Sequence, residues 1–105
     1  MVGFCRMVSN EEILDALRDV DDPELDWNIV DLGLVYRAES VDGGIEVDFT
    51  LTYPGCPAEA YIRGEIASCL KRFFGVESRI QTVWSPLWGP ERMSEGARVS
   101  LGYPI

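Results

Sequence analysis

The sequence contains no histidine. That excludes Ser-His-Asp and Cys-His catalytic pairs, imidazole general bases and every histidine-containing metal site. Lysine occurs once, as Lys71, so any chemistry has to rest on cysteine, aspartate, glutamate, tyrosine, threonine or that single amine. Basic charge is scarce overall. Nine Lys and Arg against 18 Asp and Glu leave a net charge of -9, which argues against nucleic acid or an anionic membrane as partner, because phosphate binding needs concentrated Lys and Arg. Cysteine appears three times, as Cys5, Cys56 and Cys69, with no C-x-x-C spacing. A disulfide framework is therefore not expected, a reducing compartment is, and one chain alone cannot furnish a four-cysteine cluster site. No run approaches the roughly 20 apolar residues of a membrane span. The opening MVGFCRMVSN has neither a long apolar core nor a small-residue cleavage site, so a secretory leader is not expected. These features point to a cytoplasmic protein.

What is present is ordinary for a folded domain: 47% hydrophobic and 26% charged residues over 105 positions. That suits one domain over 1–105, with 1–8 as a flexible tail and a core that requires no disulfide, metal or cofactor to fold. Acidic charge is concentrated between Glu11 and Asp31, where only Arg18 opposes it. Such a stretch reads as a solvated face; steering of self-association or of a basic partner is the alternative.

Ser9 and Glu12 have the spacing of a capping box, and Val8 with Ile13 that of a hydrophobic staple, which predicts a helix over 10–19 carrying Ile13, Leu14 and Leu17 on one side. Pro23 ends it and makes VDDPEL a turn or an extended exit. LGLVYRAE (32–39) and IEVDFTLT (45–52) read as strands joined by a hairpin at VDGG, with Ile45, Val47, Phe49 and Leu51 on one face and Thr50 and Thr52 on the other. A second helix is expected over 57–74, with Ala58, Ile62, Ile66, Cys69, Leu70 and Phe73 as its apolar stripe and Gly75 past its end. SRIQTVW (78–84) reads as a third strand, SPLWGP as a loop, ERMSEGAR as a helical turn at best, and VSLGYPI as a short final strand. The order α-β-β-α-β predicts a small α+β two-layer sandwich, with helices on one face of a mixed three- to four-stranded sheet.

Four features bear on chemistry. Cys56, in TLTYPGCP, falls at or next to the start of the second helix, where unpaired N–H groups and the helix dipole lower a thiol's pKa; alternatively it is a small residue filling a tight corner. Cys69 reads as a core cysteine and Cys5 as an incidental thiol in the tail. Asp21, Asp22 and Glu24 are possible oxygen ligands or bases, but acidic residues around a proline at a helix exit read first as solvated turn residues. Thr52 is near Cys56 in sequence. Trp84 and Trp88 either line a groove for a partner or cover the end of a small core.

Taken together, DPEL (22–25), NIVDLGLVY (28–36), TLTYPGCP (50–57) and the W-x-P-x-W-x-P-E-R-M-S-E-x-A-R pattern (84–98) resemble the SufT/PaaD-like family of small proteins tied to iron–sulfur cluster assembly. The resemblance runs in order from about Val20 to Gly102. It implies an α+β fold related to the C-terminal scaffold domain of NifU-type proteins. It also implies an accessory, non-enzymatic role in delivering clusters to recipient apo-proteins alongside the assembly machinery. By that resemblance Cys56 is the functional thiol and a ligand for transient iron or a transient iron–sulfur cluster, while Asp22, Glu24 and Thr52 line its pocket. Tyr53, Ser85 and Leu87 depart from residues common in the family.

One well-placed thiol per chain means a cluster needs two chains or a partner's cysteines, so a homodimer is admitted. The alternative is a metal-free adaptor in a maturation complex or a phenylacetate-pathway oxygenase complex, with Trp84, Trp88 and the acidic N-terminal face as contacts. A thiol enzyme is disfavoured, since no histidine can serve as its base.

Overall fold

A computed structural model describes residues 8–41 and 43–102. The expected tail to residue 7, Cys5, Asp42 and the last three residues lie outside these. The first helix forms as its caps dictate: Ser9 Oγ accepts from the Glu12 amide, and the Glu12 carboxylate accepts from the Ser9 amide. A box of this kind is worth about 1 kcal/mol. This helix, α1 (Asn10–Leu17), stops two residues short of the expected 19. It buries Ile13, Ala16 and Leu17, and Val8 packs against the same core.

A two-stranded antiparallel ribbon follows, β1 (Asp21–Asp22) and β2 (Trp27–Asn28), where only a turn or exit was expected. Asn28 then caps a tight turn: its side-chain oxygen accepts from the Asp31 amide at 2.8 Å, and its carbonyl accepts from the Leu32 amide. Those turns, ending at Gly33 with φ of +77°, delay the next strand to Val35 instead of Leu32.

Strands β3 (Val35–Val41) and β4 (Gly44–Phe49) form the predicted hairpin, paired Val41 to Gly44 across the turn, with Gly43 at φ +85°. A bulge at Tyr36 shifts the register between Val35 and Arg37. In β4 the alternation is complete, with Ile45, Val47 and Phe49 buried. Thr50 is buried as well, contrary to its expected place on the polar face. The strand has ended at Phe49, and the Thr50 amide is drawn onto the Leu34 carbonyl at 2.7 Å.

Helix α2 (Glu59–Phe74) ends at Gly75 in the left-handed conformation. Its inward stripe is Ile62, Ile66, Cys69 and Leu70, continued by Phe74. Phe73 was expected there and is instead about half exposed, because the i+4 step from Leu70 lands on Phe74. Strand β5 (Ser78–Thr82) pairs parallel to β4, giving a mixed sheet ordered β3-β4-β5. The helices α1 and α2 pack on each other and on the sheet, as the two-layer sandwich requires. The sheet's other face carries charge. Arg37 bonds Glu39, Glu46 and Asp48, and the bonds to Glu46 and then Asp48 push its already high pKa further up.

The C-terminal stretch corrects the expectation of a fourth strand. A 3-10 turn (Pro90–Arg92) leads to α3 (Glu95–Leu101), which covers the Val99–Leu101 part of the expected strand. Ser94 caps it by accepting from the Ala97 amide, Gly102 closes it at φ +83°, and Ala97 is fully buried. Gly96 lies on the exposed side.

The stretch from Pro86 to Ser94 straps onto residues 28–36. Trp88 Nε1 donates to the Leu32 carbonyl at 2.8 Å, Ser94 N donates to the Asp31 carbonyl at 2.7 Å, Tyr36 Oη donates to the Pro86 carbonyl at 2.8 Å, and the Arg92 guanidinium lies 4.7 Å above the Tyr36 ring. At the centre, Gly33 presses its Cα against the Arg92 backbone: a Cβ there would sit 2.3 Å from the Arg92 carbonyl oxygen. Gly33→Ala combines this clash with a left-handed φ, and it is expected to cost about 2–4 kcal/mol, measured as a lower urea midpoint. An Ala substitution at exposed Gly96 is expected to leave stability unchanged or raise it slightly.

Candidate functional site

The ribbon β1–β2 exists to present its tip. Asp22 is 2% exposed, and its Oδ1 accepts from the Glu24 amide at 2.7 Å, while the Asp26 amide donates to the Asp22 carbonyl at 2.8 Å. Asp26 takes a left-handed φ of +57°, which aspartate tolerates better than most residues. Asp22 is therefore not the solvated turn residue that spacing suggests. Its buried carboxylate fixes the turn that aims Glu24.

The second half of the site is the corner after β4. Leu51 and Ala58 anchor it in the core, and Tyr53, Pro54 and Gly55 bulge outward, with Gly55 at φ +80°. Cys56 returns inward and is 4% exposed. Its carbonyl accepts from the Glu59 amide at 3.2 Å, which starts the helical turn. Helix α2 begins at Glu59 with Ala58 as N-cap, two residues later than the expected start at 57, so the thiol stands two residues before the cap where a place at or next to it was expected.

The two halves meet at Cys56. Its Sγ donates to Glu24 Oε1 at 3.6 Å, within the looser range of sulfur bonds. Tyr53 Oη lies 3.4 Å from both oxygens of the same carboxylate. The Tyr53 phenol and the Cys56 sulfur thus share one carboxylate, and the neighbouring Cys56 is the largest cause of a raised Tyr53 pKa. Burial and then the negative charges of Cys56 and Glu24 add to it. The structure thus joins three residues, of which Cys56 and Glu24 were expected in the pocket. Tyr53 was noted only as a departure from the family pattern. A tyrosine three residues before a constrained thiol is the signal that could have marked it.

Thr52 is half-buried in the same loop, and it is Glu24 that bonds the sulfur. Trp84 and Trp88 pack half-buried against the core, and Leu87 is the large hydrophobic that their loop exposes, at 72%. Cys69 is a core residue as expected: its Sγ donates to the Ala16 carbonyl at 3.1 Å, and burial pushes its pKa up.

A sulfur beside an exposed carboxylate sets one soft and one hard ligand side by side. It is not a complete metal site by itself: among the described residues no group of three or more Cys, Asp or Glu side chains is placed to hold an ion. One thiolate and one carboxylate are fewer than the usual ligands of an iron–sulfur cluster.

The chain and its α+β fold have counterparts among known proteins. The chain matches the family described as iron-sulfur cluster assembly protein over residues 10–79. It is 37% identical over 97 residues to a Porphyromonas gingivalis protein named Fe-S protein maturation auxiliary factor, covering 90% of this chain and 92% of that one. It is 40% identical over 85 residues to the Fe-S protein maturation auxiliary factor SufT of Staphylococcus aureus, covering 79% of this chain and 97% of that one. A crystal structure of a domain of unknown function from Bacillus anthracis matches with a TM-score of 0.85 at 33% identity, over 90% of this chain and 92% of that one. The chain belongs to the iron–sulfur cluster assembly protein family.

This trio makes a spectroscopic prediction. With its folded-state pKa above the ordinary 10.0, Tyr53 contributes stability that is full below pH 10 and is lost as pH rises through the folded value. In an absorbance titration of the phenolates, Tyr53→Phe is expected to remove a late-titrating component, and Cys56→Ala to shift that component toward lower pH.

Proposed function

We propose that this protein is an accessory factor in iron–sulfur protein maturation, and that Cys56 is the thiol through which iron or a cluster passes. The observation that carries the reading is the Cys56–Glu24 contact. The sulfur is held at 3.6 Å from a carboxylate that is open to solvent, within a chain whose close relatives are named as maturation factors. A thiol must lose its proton to ligate iron. Glu24 is placed to take that proton, and Asp22 holds Glu24 in place. The site then offers one thiolate and one oxygen ligand. The missing ligands come from a donor, a recipient apo-protein or a second copy of the chain, and that incompleteness favours release over storage. The factor is not an enzyme in this reading, and it works in the cytoplasm with the assembly machinery.

Anaerobic reconstitution with iron and sulfide tests it. Cys56→Ala is expected to abolish the wild-type charge-transfer absorbance and bound iron, and to reduce transfer to an apo-acceptor to the background rate. Glu24→Gln keeps the thiol but loses the proton acceptor and is expected to retain slower transfer. Equal iron content in wild type and Cys56→Ala would show that Cys56 is not the ligand.

Leu87 favours a second reading as an adaptor. It is 72% exposed on a loop pinned on either side, by the Tyr36 bond to Pro86 and the Trp88 bond to Leu32. Trp88, half-buried and bonded inward, is less suited to that contact than Leu87. If docking dominates, a maturation partner binds Cys56→Ala as well as wild type but binds Leu87→Asp weakly, as measured by calorimetry. The reverse pattern removes the adaptor reading.

A further inference from the structure

Cys56 is 4% exposed, yet Tyr53, Pro54, Gly55 and Pro57 around it are all exposed. The corner is open and the sulfur is not. The Tyr53 phenol lies 3.4 Å from both oxygens of Glu24, the carboxylate that the sulfur bonds at 3.6 Å. Tyr53 itself is 44% exposed, so its ring is not packed into the core. Its contacts with Glu24 are long for O–H···O bonds, whose usual distance is about 2.7–2.8 Å, and so are weak. The segment that carries it is unpacked on its outer side: a Cβ at Gly55 would meet nothing within 4 Å. A ring held by weak polar bonds on an unpacked loop is a latch with a low opening cost.

We propose that Tyr53 determines access to Cys56: its phenol, tethered to the Glu24 carboxylate that also bonds the sulfur, covers the thiol, and a partner reaches the sulfur only by displacing that ring. The inference builds on the reading that Cys56 is the transfer thiol and adds what regulates it. The incoming group that fits is a hydrogen-bond donor from a partner protein, because it must take over the Glu24 oxygens that the phenol occupies. Binding at Glu24 and opening of the thiol are then one event. At rest the sulfur is shielded from adventitious metal and from oxidants. Tyr53 is a positioning residue in this scheme and takes no part as a ligand.

Alkylation of the full-length native protein tests the proposal without iron. The rate at Cys56 is followed by peptide mass spectrometry, with iodoacetamide as the small probe and fluorescein maleimide as the bulky one. Cys69, buried and bonded to Ala16, serves as an internal monitor of general loosening. Tyr53→Ala is expected to raise the Cys56 rate about tenfold or more with the maleimide and less with iodoacetamide, the Cys69 rate staying at its wild-type value. Tyr53→Phe keeps the ring but loses the phenol bonds, so a rise of about threefold is expected, and Glu24→Ala, which removes the tether, is expected to match it. A Cys56 rate in Tyr53→Ala within about twofold of wild type with both probes overturns the proposal, as does a Cys69 rate that rises in step with that of Cys56. These rates do not depend on metal, so the cover can fail while ligation by Cys56 stands, or stand while ligation fails.

Discussion

At Gly33 the backbone of one turn lies against the backbone of another almost sixty residues away, and there is no room for a side chain between them. Everything at the C-terminal end of the fold is registered on that contact. Once Gly33 and Arg92 touch, Trp88 reaches the Leu32 carbonyl, Ser94 reaches Asp31, and Arg92 lies on the Tyr36 ring. These bonds satisfy carbonyls in the turns before β3 that the sheet cannot reach. The same strap sets where α3 starts, and α3 adds Ala97 to the core.

This contact also explains why four separated sequence blocks occur together. They are two mating pairs. Residues 28–36 and 84–98 hold each other through Gly33, and 22–25 and 50–57 hold each other through Glu24, Tyr53 and Cys56. The first pair is structural and the second carries the thiol. The hinge between them is short, since β2 ends at Asn28 and the Asn28 turn leads straight into Gly33. The ribbon that aims Glu24 is therefore continuous with the turn that the strap clamps.

Much of this was legible along the chain where the physics is local. The capping box at Ser9, the period-2 pattern of β4, the glycine turn and the inward Cys69 all follow from residues a few positions apart. The failures are equally specific. VSLGYPI reads as a strand by composition, but a Ser94 cap and a buried Ala97 make helix the better local solution. Asp22 reads as a solvated acid, yet a single amide bond from Glu24 makes it a buried structural one. For Cys56, spacing put the thiol in the right corner and attributed its environment to a helix end. The neighbours that matter, Glu24 and Tyr53, are polar side chains on a separate ribbon tip and on the corner itself. No periodicity encodes an encounter between residues 24 and 56, so only the family resemblance pointed to it.

The treatment of the sheet's two edges has a consequence for the protein's behaviour in concentrated solution. On the β3 side, the bulge at Tyr36 breaks the regular spacing of amides, and the tail strap lies across the strand's start. On the β5 side, the Arg63 guanidinium occupies the Ile80 carbonyl and the Thr82 hydroxyl, with Glu59 holding it in place. An incoming strand finds neither edge ready to pair. A three-stranded sheet this small would otherwise be a template for stacking copies end over end into fibrous aggregates. Here, assembly between chains is left to side chains and loops, which form and release contacts far more readily than a shared ladder of backbone bonds.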